Sequence, residues 1–152
     1  MKTIFPLFVL VLVCFSSCQA PNKGTKESTI TFHKSHLPQR QNTPFSAAVE
    51  TENLLFLAGQ IGKDHTTGKL VEGGIKTETK QAIENIKAVL EQHNSSLERV
   101  VKCTVILADI NDFKEFNSVY VHYFPNKPAR TTFAAGGLAA NAKIEIDVIA
   151  AK

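Results

Sequence analysis

The chain has 152 residues, of which 43% are hydrophobic and 20% charged, and its formal net charge is +3. This length and balance fit one globular domain and leave no room for a second. The basic residues are spread along the sequence rather than clustered, which argues against nucleic acid as a partner.

The first residues have the pattern of a secretory signal. The apolar run at residues 4–13 is shorter than the roughly 20 residues that a membrane-spanning helix needs. Two serines before Cys18 resemble a bacterial lipobox, in which the cysteine is lipidated, but Phe15 stands where leucine is preferred, so simple cleavage stays open. We expect a signal peptide at residues 1–17 and an exported lipoprotein anchored through Cys18, without a membrane span, facing the periplasm.

Residues 18–28 are polar and contain proline and glycine, which is typical of a flexible tether. The folded domain is therefore expected at residues 29–152. The alternation of residues 29–33 predicts a first strand, and residues 44–49 and 53–58 predict two more.

Gly59 directly follows the third predicted strand. A glycine at this point lets a ligand or another chain approach the backbone closely, although a plain turn glycine fits equally well. The polar, glycine-containing residues 63–74 then predict a hairpin loop.

The middle of the chain predicts a helix followed by a buried strand. Apolar residues recur at helical spacing over residues 76–93, as in an amphipathic helix that packs on a sheet. Residues 100–107 are almost wholly apolar, as expected of a strand covered on both faces. Cys103 lies within this strand and is expected to be buried and unreactive.

A second helix is predicted after Asp112, with Glu115 at capping-box spacing and Pro125 just past the helix end. Its apolar face also carries Asn117. A buried amide must find partners, so Asn117 is either a structural polar link or part of a site.

A fixed cation is predicted at Arg130. Pro128 locks its own φ angle and favours an extended Lys127, so the chain enters the next strand in a set direction. A guanidinium held in this way suits a planar carboxylate, which it can bind with two parallel hydrogen bonds. The alternative is an ordinary exposed arginine after a turn.

The last strand, residues 143–148, places its isoleucines on one face and Glu145 with Asp147 on the other. Two helices and a mixed sheet of about six strands predict a two-layer α+β domain with both helices on one face. The other face is expected to pack on another subunit.

Several kinds of site are disfavoured. The sequence has no glycine-rich nucleotide loop and no Gly-x-Ser-x-Gly elbow, and we expect no cofactor. His33 and His36 form the only paired histidine spacing, and we expect them to be solvated rather than to bind metal. An arginine, an amide and a carboxylate remain, and such a set can bind a small carboxylate and orient a water molecule.

Four segments together resemble the Rid family, the reactive intermediate deaminases: residues 57–62, 108–113, 128–132 and 142–150. The resemblance implies a chorismate-mutase-like protomer and a homotrimer with ligand clefts between subunits. It also implies hydrolysis of 2-imino acids, such as 2-iminobutanoate and 2-iminopropanoate, to 2-keto acids and ammonia, without metal or organic cofactor.

The resemblance also implies roles for four residues. Arg130 matches the carboxylate-binding arginine, and Glu145 matches the glutamate that positions the water. Asn117 matches a supporting asparagine of the site, and Gly59 matches the glycine beside the ligand.

Three positions depart from the family pattern. Phe45 stands where deaminating members often have tyrosine, Ala58 replaces a frequent serine, and Thr132 replaces a frequent cysteine. Phe45 is either a wall of the site or a core aromatic residue. We expect activity to persist with a changed substrate range.

Two other functions remain as alternatives. A trimer that keeps its clefts without catalysis would bind a small carboxylate or shield client proteins. A ribonuclease or translation inhibitor is disfavoured by the low charge and by the lack of interleaved aromatic and basic residues.

Overall fold

In the computed structural model, residues 29–152 are described, so the predicted signal peptide, Cys18 and the tether lie outside the described residues. The strands are β1 (Thr31–His33), β2 (Ala48–Glu50), β3 (Leu54–Leu57), β4 (Gln60–Ile61), β5 (Lys63–Asp64), β6 (Lys69–Leu70), β7 (Val100–Leu107), β8 (Ala129–Ala134) and β9 (Ile144–Ala151). The α-helices in this part of the chain are α1 (Ile75–Gln92) and α2 (Phe113–Tyr123), and neither is long and apolar enough to cross a membrane.

The main sheet has seven strands in the order β1-β2-β3-β9-β7-β8, with β4 also paired to β9. Only β7 and β8 run parallel, and the other neighbours are antiparallel. Strands β5 and β6 form a separate hairpin, as residues 63–74 predict. The two-layer α+β class, with a mixed sheet, is confirmed.

Both helices pack on one face of the sheet because their apolar stripes match the inward residues of the strands. The apolar positions that predict α1 are all buried: Ala82, Ile83, Ile86, Val89 and Leu90. They meet alternate residues of the central strands: Cys103, Val105 and Leu107 of β7, and Ile144, Ile146 and Val148 of β9. Cys103 is fully buried, as predicted.

The opposite face of the sheet has no helix over it in residues 29–152, and it exposes large apolar side chains. Phe32 is 69% exposed, Phe133 45% and Phe56 38%. Phe32 and Phe56 both lie opposite Val49 in the strand register, so they share one surface. Phe133 lies on β8, the edge strand at the other end of the sheet.

The predicted capping box of α2 is wrong. Asp112 makes no side-chain hydrogen bond at the helix start, because a 3₁₀ turn at Ile110–Asp112 has already made the backbone helical there. A cap needs an extended residue before the helix, and Asp109 meets that condition, with its carboxylate accepting from the Asn111 amide at 2.9 Å.

The predicted extended shape of Lys127 is also wrong. Its φ angle is 52°, in the left-handed region. The Lys127 amide donates to the Phe124 carbonyl at 3.1 Å, so a tight turn after α2 sets this conformation rather than the proline that follows. Arg130 is nevertheless the second residue of β8.

Candidate functional site

Arg130 lies on the helix-facing side of the sheet. Its strand partner is Cys103, which is buried under the helices, and directly paired residues point to the same face. The guanidinium carbon therefore meets the rings of α2, at 4.5 Å from the Tyr120 centroid, 5.1 Å from Phe116 and 5.7 Å from Phe113. Attraction between the cation and these rings holds the side chain in place.

The guanidinium forms one wall of a cavity of about 600 Å³. Its lining also includes Asn117, Lys127 and Pro128, so the predicted amide and cation share one cavity. Within residues 29–152, no carboxylate forms an ion pair with Arg130. The volume falls within the roughly 300–1,000 Å³ of small-ligand pockets, and the arginine supplies the charge for an anionic group.

Thr132 follows Arg130 on the same face of β8, because alternate residues of a strand point the same way. Its hydroxyl is buried and has no hydrogen-bond partner among the described residues. A buried hydroxyl without a partner costs about 1–3 kcal/mol, so a ligand that supplies one would recover that free energy.

Tyr120 and Cys103 lie beneath the guanidinium. Burial raises the pKa of the Tyr120 phenol, and the adjacent Cys103 thiol raises it further. Burial likewise raises the pKa of Cys103. Both groups are neutral at pH 7, so neither of them forms an ion pair with the Arg130 guanidinium.

Glu145 and Gly59 form a second group. Glu145 lies in β9 between Ile61 of β4 and Ile106 of β7. A Cβ atom at position 59 would stand 2.0 Å from the Glu145 Oε1 atom, so any side chain there would displace the carboxylate. Gly59 therefore permits a close approach, as predicted, and the approaching group is the Glu145 carboxylate.

A second cavity of about 260 Å³ lies beside Gly59 and was not predicted from the sequence. Arg40 donates to the Gln60 amide oxygen at 3.2 Å, and His65 lies 3.4 Å from the same Arg40 nitrogen. Burial lowers the pKa of Arg40 and of His65. No sequence pattern marks these residues, because they converge only when the loop before β2 folds over β4 and β5.

Phe45 lies in the loop before β2, near the second cavity. The Thr43 hydroxyl donates to the Phe45 carbonyl at 3.1 Å, and Thr43 lines the same cavity as Gly59. The Phe45 ring is 50% exposed. The core alternative for Phe45 is therefore wrong.

The predicted site residues thus form two groups on opposite faces of the sheet. Arg130, Asn117 and Thr132 face the helix layer, whereas Glu145 alternates with the buried isoleucines of β9 and faces the open side. One protomer does not bring the arginine and the glutamate together.

Comparison with known proteins identifies the family. The profile described as Endoribonuclease L-PSP matches residues 37–152. A RutC family protein of Pyrococcus abyssi is 48% identical over 110 residues, which are 72% of this chain and 87% of the relative. A Rid-family structure from Yersinia pestis superposes with a TM-score of 0.76 at 32% identity, over 82% of this chain and 100% of that one.

The chain belongs to the Rid family. A human Rid relative, 42% identical over 108 residues, covers 70% of this chain and 79% of its own length, and is named 2-iminobutanoate/2-iminopropanoate deaminase. Imine deamination is thus an activity of close relatives within the Rid family. The matches also confirm that the four segments of residues 57–62, 108–113, 128–132 and 142–150 indicate the family correctly.

Proposed function

We propose that this Rid protein hydrolyses small 2-imino acids to 2-keto acids and ammonia. The observation that carries the proposal is Arg130, a guanidinium seated on three aromatic rings at the wall of a cavity, with no carboxylate partner in residues 29–152. A 2-imino acid supplies the missing carboxylate. Asn117 lines the same cavity, and its amide is the proposed second donor to the substrate.

The reaction requires a nucleophilic water and a group that carries its proton. Glu145 positions the water and carries the proton. Its carboxylate accepts a proton from the water as the oxygen attacks the carbon of the protonated imine, which gives a carbinolamine. Glu145 then returns that proton to the amino nitrogen. As the carbon–nitrogen bond breaks, the Glu145 carboxylate accepts the hydroxyl proton and passes it to the departing ammonia or to solvent, so the products are the ketone and ammonia.

The rate enhancement comes chiefly from position. Imines hydrolyse in water without a catalyst, so the protein needs to lower the barrier only modestly. Fixing the carboxylate on Arg130 and the water on Glu145 turns an encounter between separate molecules into a reaction between held groups.

We propose that the active assembly is a homotrimer in which Arg130 of one subunit faces Glu145 of the next. The placement of the two groups on opposite faces of the sheet supports this arrangement. Exposed Phe32 and Phe56 give the open face an apolar surface that a neighbouring subunit would cover.

The exported location is likewise a proposal, and it rests on the lipobox-like sequence before Cys18. The test is incorporation of labelled palmitate into the wild-type chain and into Cys18→Ser. Label in the wild type that disappears in Cys18→Ser supports a lipoprotein, and equal label in the two chains contradicts it.

The activity is tested by release of ammonia and keto acid from freshly generated 2-iminopropanoate and 2-iminobutanoate. We expect Arg130→Ala to lower kcat/KM by about 100- to 1,000-fold, because two charge-assisted hydrogen bonds are lost. Arg130→Lys should recover little of this, since an ammonium cannot bind both carboxylate oxygens in the same way.

Arg99→Ala is the matched control, because Arg99 is an exposed arginine that donates to the Ala151 carbonyl, away from the cavity. It should keep wild-type kcat/KM. Wild-type turnover in Arg130→Ala would refute the site. Absence of turnover in a folded wild-type trimer that still binds a 2-keto acid would instead favour the non-catalytic binding function.

A further inference from the structure

A cluster of three potential metal ligands lies away from the cavities that Arg130 and Gly59 line. It contains His33 of β1, Glu50 of β2 and His93 at the C-terminal cap of α1. The His33 Nε2 and Glu50 Oε2 atoms are 2.7 Å apart, and the two imidazole centroids are 4.4 Å apart. The prediction that His33 is solvated is therefore wrong, although His36 is exposed.

Strand pairing and the end of a helix create this cluster. His33 pairs with Ala48, whose side chain is buried beneath the helix layer, and Glu50 lies two residues further on the same face of β2. Helix α1 ends directly over this corner of the sheet, so His93 reaches the same point. The C-terminal end of a helix carries partial negative charge, which favours a cation.

A fourth side chain at this corner, Lys152, orients the Glu50 carboxylate. The Lys152 ammonium contacts the Glu50 Oε1 atom, which leaves Oε2 directed at His33. A second partner that orients a ligating carboxylate is a regular feature of metal sites. Glu50 thus presents one oxygen, and each histidine presents one nitrogen.

We propose that His33, Glu50 and His93 bind one divalent transition-metal ion of the zinc type. Two imidazoles and a carboxylate are a set that zinc accepts, with a water in the remaining tetrahedral position. The candidate ligand atoms lie within 4.8 Å of one another. Zinc–ligand bonds of about 2.0–2.2 Å require ligand atoms roughly 3.3 Å apart, so the widest pair must close by about 1.5 Å at most and the His33–Glu50 pair, at 2.7 Å, must open by about 0.6 Å.

That contraction is within reach of side-chain rotation because none of the three ligands is fully buried. The bound ion would tie strand β1, the edge strand of the sheet next to the predicted tether, to β2 and to the end of α1. Its function is structural and independent of imine hydrolysis. The metal therefore stabilises the fold and leaves kcat unchanged.

The test is a titration of the full chain, first freed of metal by a chelator, with Co²⁺ followed by visible absorption and with Zn²⁺ as competitor. We expect one Co²⁺ per chain, the d–d bands of a four-coordinate site, and a higher melting temperature with Zn²⁺. The near-ultraviolet band of thiolate ligation should be absent, because no cysteine takes part.

Variants locate the site. His33→Asn and His93→Asn should each weaken Co²⁺ binding by at least about tenfold, since loss of even an outer partner of a metal ligand typically costs 10- to 100-fold. His122→Asn is the matched control, because His122 is exposed on α2 and belongs to no such cluster. It should bind Co²⁺ as the wild type does.

Glu50→Gln gives a third measurement if a histidine variant fails to fold, and it should also weaken binding. Failure of the wild type to bind Co²⁺ or Zn²⁺ at millimolar concentration would overturn the proposal. So would unchanged Co²⁺ affinity in His33→Asn and His93→Asn, or a thiolate band that accounts for all the bound metal.

Discussion

The two faces of the sheet hold their functional groups by different means. On the helix side, Arg130 is fixed by three aromatic rings of α2 within the same chain. On the open side, Glu145 has no such packing, and its carboxylate rests over the bare backbone of Gly59. Arg130, the proposed anion-binding group, is thus held in place within one protomer. Glu145, the proposed water-positioning group, lies on the face of the sheet that no helix of residues 29–152 covers.

Because the two groups lie on opposite faces of the sheet, the proposed activity depends on assembly. Adjacent residues of a strand point to opposite faces, so a sheet can present a cation and a carboxylate without neutralising either one. In the proposed trimer a neighbouring subunit supplies the missing half of each site, and the following predictions test that division.

The largest effect in this comparison is expected for Glu145→Gln. The amide keeps the size of the side chain but cannot accept a proton, so kcat should fall by about 100-fold, at the lower end of the effect of a general base. KM should stay within about threefold of wild type, because binding rests on Arg130. Steady-state kinetics with 2-iminopropanoate separates the two parameters.

Asp147→Asn is the matched control for this prediction. Asp147 lies two residues further along β9 on the same open face, away from Gly59. Its variant should keep wild-type kcat. A fall in kcat for Asp147→Asn equal to that for Glu145→Gln would assign the effect to the charge of this face rather than to one carboxylate.

A mixture of two inactive chains gives the next largest effect. If Arg130 and Glu145 of neighbouring subunits form each site, chains carrying Arg130→Ala and Glu145→Gln in equal amounts should rebuild about a quarter of the sites. With each parent at about 1% of wild-type kcat/KM, the co-expressed mixture should be about 25-fold more active than either one.

The two parents mixed after separate purification, without unfolding, serve as the control for subunit exchange. Co-expressed chains that are no more active than the parents, in a trimer shown by sedimentation to contain both, would place the whole site within one chain. That result would contradict the proposed division between the faces.

Gly59→Ala should reduce activity by about tenfold. The new Cβ atom would stand 2.0 Å from the Glu145 oxygen, so the carboxylate must move. A displacement of about 1 Å in a positioning group is enough to cost up to 100-fold in rate. Gly137→Ala is the control, because a Cβ atom there meets nothing within 4 Å. Equal kcat in both variants would show that the position of Glu145 is unimportant.

Features that depend on local sequence could be predicted, whereas features that depend on long-range pairing could not. Periodicity predicts α1 correctly because its apolar residues are local and regular. The apolar run of residues 100–107 predicts the bounds of β7, but the expected cover on both faces is wrong for one protomer, since Val101 on the open face is 48% exposed. The face of Arg130 follows instead from its register opposite Cys103, and that pairing joins distant parts of the chain. The cluster of His33, Glu50 and His93 escapes sequence reasoning for the same reason.

Two predictions are wrong because the preference of a single residue competes with a turn of the backbone. Asp112 and Glu115 have capping-box spacing, yet the 3₁₀ turn before α2 moves the cap to Asp109. Pro128 favours an extended Lys127, yet the turn after α2 sets a φ angle of 52°. In both cases a backbone hydrogen bond formed by the turn outweighs the preference of a single residue.

The smallest effect is expected for Thr132→Val, and it tests whether the helix-side group is built for a ligand. The Thr132 hydroxyl is buried without a partner among the described residues, so replacing it by a methyl group should raise the free energy of unfolding by about 1 kcal/mol. The same change should raise KM by a few fold, because the substrate loses a hydrogen-bond partner.

Thr131→Val is the control for this last change, since the exposed Thr131 hydroxyl already accepts from Lys102 on the open face. Chemical denaturation and steady-state kinetics measure the two quantities separately. A gain in stability together with a loss of affinity would show that the unpaired Thr132 hydroxyl destabilises the free protein and gains a hydrogen-bond partner when the ligand binds. A loss of stability in Thr132→Val would mean that the hydroxyl has a structural partner instead.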